Sequence, residues 1–303
     1  MNTSFLKEIP LDIPANKRST YERNMRLITK NTGRLFIFAG DQRVEHLNDD
    51  FYGPHSAPED ADPEHLFRIA SSSRVGALAT QLGMIARYGN AYSKVPYIVK
   101  LNSKTNLVSE DEQDPYSAAW YDVRQVAAFA KNSKLQIAAV GYTLYIGSTF
   151  EPAMLHEAAQ IVYQAHLEGL PVILWVYPRG KAIQDKYDAH LIAGAVNVAV
   201  ALGADFVKVN RPREMSAEAY TEIIKAAGKH TGVLFAGGEV SSADDVLHSI
   251  YTQVHRFGAS GAALGRNIHQ HTLKDAVALA NAVASIVYDG QAPEAAHRLL
   301  VKN

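Results

Sequence analysis

The chain has 303 residues, of which 47% are hydrophobic and 20% are charged, a composition that is typical of a globular protein and excludes a disordered chain. Its 30 Lys and Arg residues balance 31 Asp and Glu residues, so the formal net charge is -1 and no basic excess points to nucleic acid as a partner. Because the chain contains no cysteine, disulfides, thiolate zinc sites and a cysteine nucleophile are excluded.

The N-terminal residues predict no targeting segment. Lys7 and Glu8 interrupt the chain before an apolar region can form, so we expect no signal peptide. The longest apolar stretch, near residues 275–287, is broken by Asn281 and is shorter than the ~20 residues that a membrane span needs. We therefore expect a cytoplasmic protein with no membrane partner.

Residues 1–32 are predicted to form an extended N-terminal arm, since Pro10, Pro14 and the pair Lys17-Arg18 interrupt any regular pattern. Eight short runs that are rich in apolar and β-branched residues follow. They predict strands at Leu35–Ala39, Ala77–Thr80, Tyr97–Leu101, Ile137–Tyr142, Val172–Tyr177, Phe206–Asn210, Val233–Ala236 and Ala262–Leu264. Most runs are apolar on both faces, as parallel strands covered by helices must be.

Helical patterns lie between these strands. The clearest are Glu151–Glu168, the segment from Ser216 to Gly228, the segment from Ser241 to Gly258, and Leu273–Tyr288. Strands that alternate with helices form right-handed βαβ units, and eight units in about 270 residues predict an α/β fold with a single (β/α)8 TIM barrel domain. A doubly wound sheet is the alternative, but the first strand is followed by GDQRVEH rather than by a GxGxxG turn.

Two lysines interrupt apolar strands near the carboxyl ends, where barrel active sites lie. Lys208 shares a strand face with Phe206 and Asn210, so it points into the barrel if the flanking valines pack on the outer helices. Burial lowers the pKa of an amine, and a free amine can form a Schiff base with a carbonyl. A structural ion pair is the alternative for Lys208. Lys100 repeats the pattern on strand three, as an electrostatic helper or as a phosphate or carboxylate binder.

The fifth strand ends in two aromatic residues on one face, Trp175 and Tyr177. Pro178 stops the strand, which places the Tyr177 hydroxyl at the rim of the barrel. A phenol beside a buried ammonium group can donate and accept protons. Aromatic packing at the barrel mouth is the alternative interpretation of Tyr177.

Asp41 follows the first strand, where it can orient substrate hydroxyls or the lysine amine. Glu45 and His46 lie nearby, so a metal site is the alternative at this position. Three residues on one loop lack convincing ligand spacing, and His269 and His271 are far away in the sequence, so the sequence predicts no metal.

Glycine turns follow the last two strands. Gly237-Gly238 comes after the seventh strand and Gly265-Arg266 after the eighth. Loops after strands seven and eight form the common phosphate site of barrels, because glycine backbones can approach the oxygens and an arginine can add charge. The sequence therefore predicts a phosphorylated ligand.

Lys208 has the longer apolar flank of the two strand lysines, so the sequence predicts greater desolvation and a lower pKa for its amine. It also lies between the strand of Tyr177 and the Gly237-Gly238 turn, whereas Lys100 lies on strand three. We therefore expect Lys208, rather than Lys100, to carry a covalent intermediate.

Taken together, these motifs resemble the archaeal-type class I fructose-bisphosphate aldolases, which also occur in bacteria. The resemblance spans about residues 33–288 and rests on GDQRVEH (40–46), YIVKLN (97–102), VGYTLYIGS (140–148), LWVYPRG (174–180), DFVKVN (205–210), AGG (236–238) and GASGAALGRN (258–267). It implies that Lys208 forms the Schiff base, that Tyr177 is the acid and base, that Trp175 lines the substrate site and that Asp41 contacts substrate. It also implies that the two glycine turns bind a substrate phosphate.

The resemblance further implies a metal-independent reaction that needs no cofactor. Lys208 attacks the ketone of fructose 1,6-bisphosphate, and the iminium accepts electrons while the C3–C4 bond breaks. Glyceraldehyde 3-phosphate leaves first, and dihydroxyacetone phosphate leaves after hydrolysis. Such an enzyme works in glycolysis or gluconeogenesis, and the resemblance implies a homo-oligomer, often a decamer.

Three positions depart from the family pattern. Members usually have Gly in place of Arg43, Ser in place of Ala236 and a basic residue in place of Glu239. The lost hydroxyl and the added acid weaken phosphate electrostatics, and Arg43 compensates if its side chain reaches inward. Two alternatives stay open: a related Schiff-base lyase or transferase for another phosphorylated keto-sugar, and a non-catalytic phosphosugar-binding barrel. The non-catalytic barrel is the less favoured of the two, because binding alone needs neither a buried amine nor a phenol.

Overall fold

The computed structural model describes residues 8–109, 112–238 and 240–301, and eight parallel strands form a closed barrel at its centre. Each strand pairs with its neighbours in chain order, and the eighth pairs with the first. The strands are β1 Leu35–Ala39, β2 Ala77–Gln81, β3 Tyr97–Lys100, β4 Ile137–Ile146, β5 Val172–Pro178, β6 Phe206–Val209, β7 Gly232–Ala236 and β8 Gly261–Leu264. All eight lie at the predicted positions, and the (β/α)8 barrel is confirmed.

Helices surround the barrel and fill most of the segments between strands. They are α1 Arg18–Thr29, α2 Gln42–Glu45, α3 His65–Ser72, α4 Leu82–Tyr88, α5 Val123–Ser133, α6 Glu151–Leu167, α7 Ala189–Ala201, α8 Ala217–Ala226, α9 Ala243–Tyr251, α10 Arg266–His269, α11 Leu273–Asp289 and α12 Pro293–Val301. Ser216 and Ser242 accept hydrogen bonds from Ala219 N and Asp245 N and cap α8 and α9, as the sequence predicts. Within the described ranges, no helix is both long enough and apolar enough to cross a membrane.

The strands are buried on both faces, which explains their continuous apolar runs. Only Ile146 and Ala236, the last residues of β4 and β7, are partly exposed. Strand β4 is four residues longer than predicted, and its extension pairs Tyr145 with Tyr177 on β5. This longer pairing places Tyr145 beside Tyr177 at the carboxyl end of the barrel.

The prediction of an extended arm over residues 1–32 is wrong for its second half; residues 1–7 lie outside the described part of the chain. Residues Arg18–Thr29 form α1, which buries Tyr21, Met25 and Ile28. Their spacing of four and three residues is the helical signal that the neighbouring prolines obscured. Asn24 donates a hydrogen bond of 2.9 Å to the Gly169 carbonyl just before β5, so α1 covers the amino-terminal end of the barrel.

A buried ionic cluster fastens this N-terminal segment to the barrel. His166 on α6 lies 2.8 Å from Asp12 and 3.2 Å from Asp205, through its Nδ1 and Nε2 atoms respectively. The Tyr21 hydroxyl donates to the other oxygen of Asp205. Hydrogen bonds and charge from the two carboxylates outweigh burial and raise the pKa of His166 to about 9.

Because the folded pKa of His166 is raised above the unfolded value, we expect its stabilisation to be complete below about pH 6.5 and to be lost as pH rises toward 9. The shift corresponds to an upper limit of roughly 3 kcal/mol in the free energy of unfolding. Urea denaturation at pH 6.5 and 9 should show this loss in the wild type and a much smaller loss in His166→Gln. Equal pH dependence in both proteins would contradict the assignment.

Candidate active site

A cavity of about 490 Å³ opens at the carboxyl ends of the strands. Its walls contain nearly all the predicted site residues, namely Asp41, Trp175, Tyr177, Lys208, Gly237, Gly238, Gly265 and Arg266. Lys100 is the one predicted site residue that does not reach this wall. The barrel therefore brings together residues from β1, β5, β6, β7 and β8 that are far apart in the sequence.

Lys208 lies on β6 and reaches the cavity with only 7% of its surface exposed. Its Nζ atom lies 5.4 Å from the centre of a Trp175 ring. Burial lowers the pKa of the Lys208 amine, while the carboxylates of Asp41 and Glu45 act in the opposite direction. Among the described residues, no hydrogen bond holds Nζ, so the amine can turn toward a carbonyl carbon in the cavity.

Lys100 is more deeply buried than Lys208, at 0% exposure, so the predicted order of desolvation is wrong. The apolar neighbours of each lysine along its own strand did not determine which lysine is more buried, because burial also depends on the surrounding strands. Lys100 Nζ donates to the Asn102 carbonyl over 2.9 Å and lies 3.9 Å from Asp41 Oδ2. Burial lowers the pKa of Lys100, and the neighbouring Lys208 ammonium lowers it further. Lys100 is thus tethered outside the cavity, while Lys208 is inside it.

Trp175 lies close to both amines, with its ring 5.2 Å from Lys100 Nζ and 5.4 Å from Lys208 Nζ. A β-carbon on Gly141, in the neighbouring β4, would lie 2.4 Å from the indole, so glycine at this position leaves room for the ring. The indole Nε1 is buried and has no hydrogen-bond partner among the described residues. An unsatisfied buried donor beside a cavity is available to a ligand oxygen.

Asp41 supplies negative charge to the two amines. It lies two residues after the end of β1 and is 5% exposed, and its carbonyl accepts a 3.0 Å hydrogen bond from Gln81 at the end of β2. Glu45, one turn further on in α2, also lines the cavity. These two carboxylates favour protonated lysine, so they limit the fall in pKa that burial causes.

Tyr177 is held in its protonated form. The residue lines the cavity although it is only 8% exposed. Burial and the charges of Glu45 and Asp41 raise the pKa of Tyr177 well above its usual value, and Arg179 partly opposes this. The Arg179 guanidinium carbon lies 5.3 Å from the centre of the Tyr177 ring. Tyr177 is therefore a neutral phenol before the reaction, which is the form that can donate a proton, and its phenolate would be a strong base.

The two glycine turns lie side by side, as the sequence predicts. Arg266 donates a 3.2 Å hydrogen bond to the Gly238 carbonyl, and the Asn267 side chain accepts one of 2.9 Å from Ser241 N. A β-carbon on Gly238 would lie 2.2 Å from the Arg211 guanidinium, so the glycine lets this second arginine approach. Two guanidinium groups therefore flank one turn, which suits a phosphate dianion.

Arg43 does not reach inward, so the expected compensation by this residue is wrong. Its guanidinium donates to the Asp60 carbonyl over 2.5 Å and lies 4.0 Å from the centre of the Phe51 ring. Arg211 provides the positive charge instead. Glu239, the third departure from the family pattern, lies outside the described residues.

Sequence reasoning missed several charged residues of this cavity. Arg211 and Arg213 follow β6 by two and four residues, and Arg179 directly follows β5. A signal was present, because residues just after barrel strands face the active site. The conformation of each loop decides which of these charged residues turn inward, and that conformation cannot be read from the sequence pattern. No group of three or more His, Asp or Glu residues that could hold a metal occurs within residues 8–109, 112–238 and 240–301.

A buried amine that reaches an open cavity beside a phenol can attack a carbonyl and pass protons to and from the product. Together with the barrel, this site defines the class of lysine-dependent barrel aldolases. The family model described as DeoC/LacD family aldolase matches residues 35–271, and the chain belongs to this family.

The relatives agree with this assignment. A fructose-bisphosphate aldolase/6-deoxy-5-ketofructose 1-phosphate synthase from Methanocaldococcus jannaschii is 48% identical over 96% of this chain and 94% of the relative. The structure of a fructose-bisphosphate aldolase from Slackia heliotrinireducens has a TM-score of 0.94 and 46% identity, and the match covers 97% of this chain and 93% of that one.

A second similar structure contains a covalent reaction intermediate. It is an archaeal fructose-1,6-bisphosphate aldolase whose catalytic lysine is covalently bound to the carbinolamine intermediate of the substrate. It has a TM-score of 0.76 and 32% identity, and the match covers 89% of this chain and 99% of that one.

Proposed function

We propose that this protein is a class I fructose-1,6-bisphosphate aldolase, with Lys208 as the residue that forms the Schiff base. One observation supports this most directly: the Lys208 amine is buried, has a lowered pKa and reaches the cavity between Tyr177 and the paired glycine turns. The choice of fructose 1,6-bisphosphate as the substrate is supported by the relatives, which are named as fructose-bisphosphate aldolases.

The reaction begins at C2 of the open-chain ketose. The free amine of Lys208 adds to the carbonyl carbon, and the carbinolamine loses water to give an iminium ion. Tyr177, protonated in the folded protein, donates the proton that the departing hydroxide needs.

The iminium then accepts the electron pair of the C3–C4 bond. As that bond breaks, the C4 hydroxyl loses its proton to the Tyr177 phenolate and becomes the aldehyde of glyceraldehyde 3-phosphate. The positive iminium nearby favours the phenolate during this step. The enamine that remains is protonated at C3, and water then releases dihydroxyacetone phosphate and restores the amine.

The C1 phosphate fits the glycine turns. Arg211 and Arg266 both contact Gly238, and β7 and β8 lie on one side of the Lys208 strand. This arrangement supports a position for the phosphate one carbon away from the reacting carbonyl. A ketose 1-phosphate is therefore the minimal ligand of this site.

A second activity is supported by the Methanocaldococcus jannaschii relative, whose name includes 6-deoxy-5-ketofructose 1-phosphate synthase. That compound also carries its phosphate on C1, so the same amine and the same turns suit it. The expectations of a homo-oligomer and of a cytoplasmic role in glycolysis or gluconeogenesis stay predictions.

Cleavage of fructose 1,6-bisphosphate, measured by coupled detection of dihydroxyacetone phosphate, tests the proposed function. We expect activity to persist in excess EDTA, because the proposed chemistry needs an amine and no metal. Sodium borohydride added with dihydroxyacetone phosphate should inactivate the protein. Loss of cleavage in EDTA with recovery on adding zinc would overturn the proposal in favour of a metal-dependent aldolase.

Arg266→Ala is expected to weaken phosphate binding selectively. A charge-assisted contact contributes about 1.5–3 kcal/mol, which is about ten- to a hundredfold in affinity. Inhibition by dihydroxyacetone phosphate should fall by this factor, whereas inhibition by dihydroxyacetone should change little. Arg23→Ala, on α1 at the opposite end of the barrel, is the matched control. Equal effects on both ligands would show that Arg266 does not contact phosphate.

A further inference from the structure

Arg211 forms part of the wall between the active-site cavity and a much smaller internal cavity. The internal cavity has a volume of about 10 Å³, which is about the minimum for one water molecule, so no substrate group fits inside it. Arg211 lines both cavities, whereas Ser249 and Gln253 line only the internal one. Ser249 and Gln253 therefore lie next to Arg211 without lining the active-site cavity.

Side-chain hydrogen bonds connect these two residues to Arg211. Arg211 Nη1 donates to the Ser249 hydroxyl oxygen over 3.4 Å, and Gln253 Nε2 donates to the same oxygen over 2.9 Å. A serine hydroxyl oxygen can accept two hydrogen bonds, so both of its acceptor positions are occupied. The Ser249 oxygen is therefore held between an amide and a guanidinium group.

Gln253 lies in an unusual turn that follows α9. Residues Thr252–Arg256 form one turn of π-helix, in which Phe257 N donates to the Thr252 carbonyl over 3.0 Å. Gln253 is buried in this turn, and its carbonyl accepts a 2.8 Å hydrogen bond from Ala259 N. Turns of π-helix are rare in proteins and occur frequently at functional sites. The backbone that carries the Gln253 amide is thus held in place by the turn itself.

Tyr220 on α8 supports the same group of side chains from another element. It is buried, and its ring stacks on Phe257 at 4.7 Å and meets Phe235 of β7 edge-on at 4.9 Å. Burial raises the pKa of Tyr220, whereas the charge of Arg211 and a hydrogen bond with Gln253 lower it. The guanidinium and the amide therefore both lie near one buried phenol.

The side chains that hydrogen-bond in this chain to Arg211 carry no charge. A hydroxyl acceptor restrains a guanidinium without neutralising it, since arginine stays protonated in proteins. Arg266, which also contacts Gly238, lies instead 3.7 Å from a carboxylate oxygen of Asp50. The hydrogen bond to Ser249 therefore leaves the positive charge of Arg211 available to an anion at the Gly238 turn.

We propose that Ser249 and Gln253 are positioning residues, which hold Arg211 against the Gly238 turn so that its guanidinium is placed for the substrate phosphate. This inference rests on the proposed function. A free arginine side chain loses conformational freedom when it binds an anion, whereas a restrained one has already lost it. Ser249 and Gln253 therefore act on phosphate binding and leave the chemistry at the Lys208 amine unchanged.

Ser249→Ala removes the acceptor of Arg211 without altering the lining of the active-site cavity. We expect inhibition by dihydroxyacetone phosphate to weaken about two- to tenfold, the range for one net hydrogen bond, and inhibition by dihydroxyacetone to change little. The KM for fructose 1,6-bisphosphate should rise by the same factor, while kcat stays within about twofold. Ser73→Ala is the matched control, because the half-buried Ser73 donates a 2.7 Å hydrogen bond to the Ile69 carbonyl near the other end of the barrel.

A double-mutant comparison tests whether the effect passes through Arg211. Arg211→Ala should weaken inhibition by dihydroxyacetone phosphate about ten- to a hundredfold, the range for a charge-assisted contact. Adding Ser249→Ala to Arg211→Ala should cause no further loss, because the group that Ser249 positions is then absent. Gln253→Leu, which nearly keeps the side-chain volume, should cause a smaller loss than Ser249→Ala, since Gln253 acts through Ser249.

Additive losses in the double variant would overturn the positioning role, and so would equal weakening of dihydroxyacetone phosphate and dihydroxyacetone by Ser249→Ala. Either result, in a wild type that cleaves fructose 1,6-bisphosphate, would leave the proposed function intact. A wild type that neither cleaves this sugar nor is trapped by borohydride would overturn the proposed function. If that protein also failed to bind dihydroxyacetone phosphate in calorimetry, the positioning role would be overturned with it.

Discussion

Replacing Lys208 with Met is expected to abolish covalent trapping and to reduce cleavage of fructose 1,6-bisphosphate by roughly 10³-fold or more, the scale on which removal of a nucleophile acts. Methionine keeps most of the volume of the side chain and removes the amine. Because Lys208 is 7% exposed and its ammonium form is costly in that environment, the variant should fold at least as stably as the wild type. Borohydride reduction with dihydroxyacetone phosphate, followed by peptide mass mapping, locates the adduct.

Lys100→Met is the matched control for this experiment, since both lysines are buried beside the same Trp175 ring. Lys100 is bound to Asn102 and does not line the cavity, so its loss should reduce trapping without removing it. The adduct should map to the peptide that contains Lys208. An adduct on Lys100, or none on either lysine, would contradict the mechanism.

Tyr177→Phe is expected to lower kcat for cleavage by about 10²- to 10⁴-fold, the usual contribution of a general acid or base. The change removes one oxygen and leaves the ring, so KM should change little. Trapping by dihydroxyacetone phosphate should become slower but remain complete, because the amine of Lys208 is unchanged. Single-turnover cleavage and the rate of borohydride inactivation measure the two effects separately.

Tyr163→Phe, on α6 with 54% of the residue exposed, makes the same chemical change away from the cavity and should leave kcat unchanged. If Tyr177→Phe retained more than about a tenth of the wild-type kcat, another group would have to carry the protons. Glu45 would then be the next candidate, because its carboxylate lines the same cavity.

The barrel and most of its active-site residues could be predicted from the sequence. Strand positions followed from short apolar runs, because a parallel strand covered by helices is buried on both faces and leaves that pattern in the chain. Lys208 and Tyr177 stood out for the opposite reason, since a polar group within or at the end of such a run is costly unless it has a function. The motifs that resemble the aldolases added roles to these positions.

The N-terminal segment shows where local patterns were insufficient. Helix α1 contains Tyr21, Met25 and Ile28 at helical spacing, yet the prolines before it favoured an extended arm. Its partners, Asp205 and the Gly169 carbonyl, are more than a hundred residues away in the sequence. A helix that is stabilised mainly by such packing has little signal of its own.

The ranking of the two lysines and the choice of arginines were decided only by the tertiary structure. The sequence by itself determined that two amines interrupt buried strands. The packing of neighbouring strands then buries Lys100 more deeply and leaves Lys208 at the wall of the open cavity. In the same way, Arg43 turns toward Asp60, while Arg211 lies against Gly238. Burial and side-chain direction depend on contacts between distant segments, and a one-dimensional pattern does not contain those contacts.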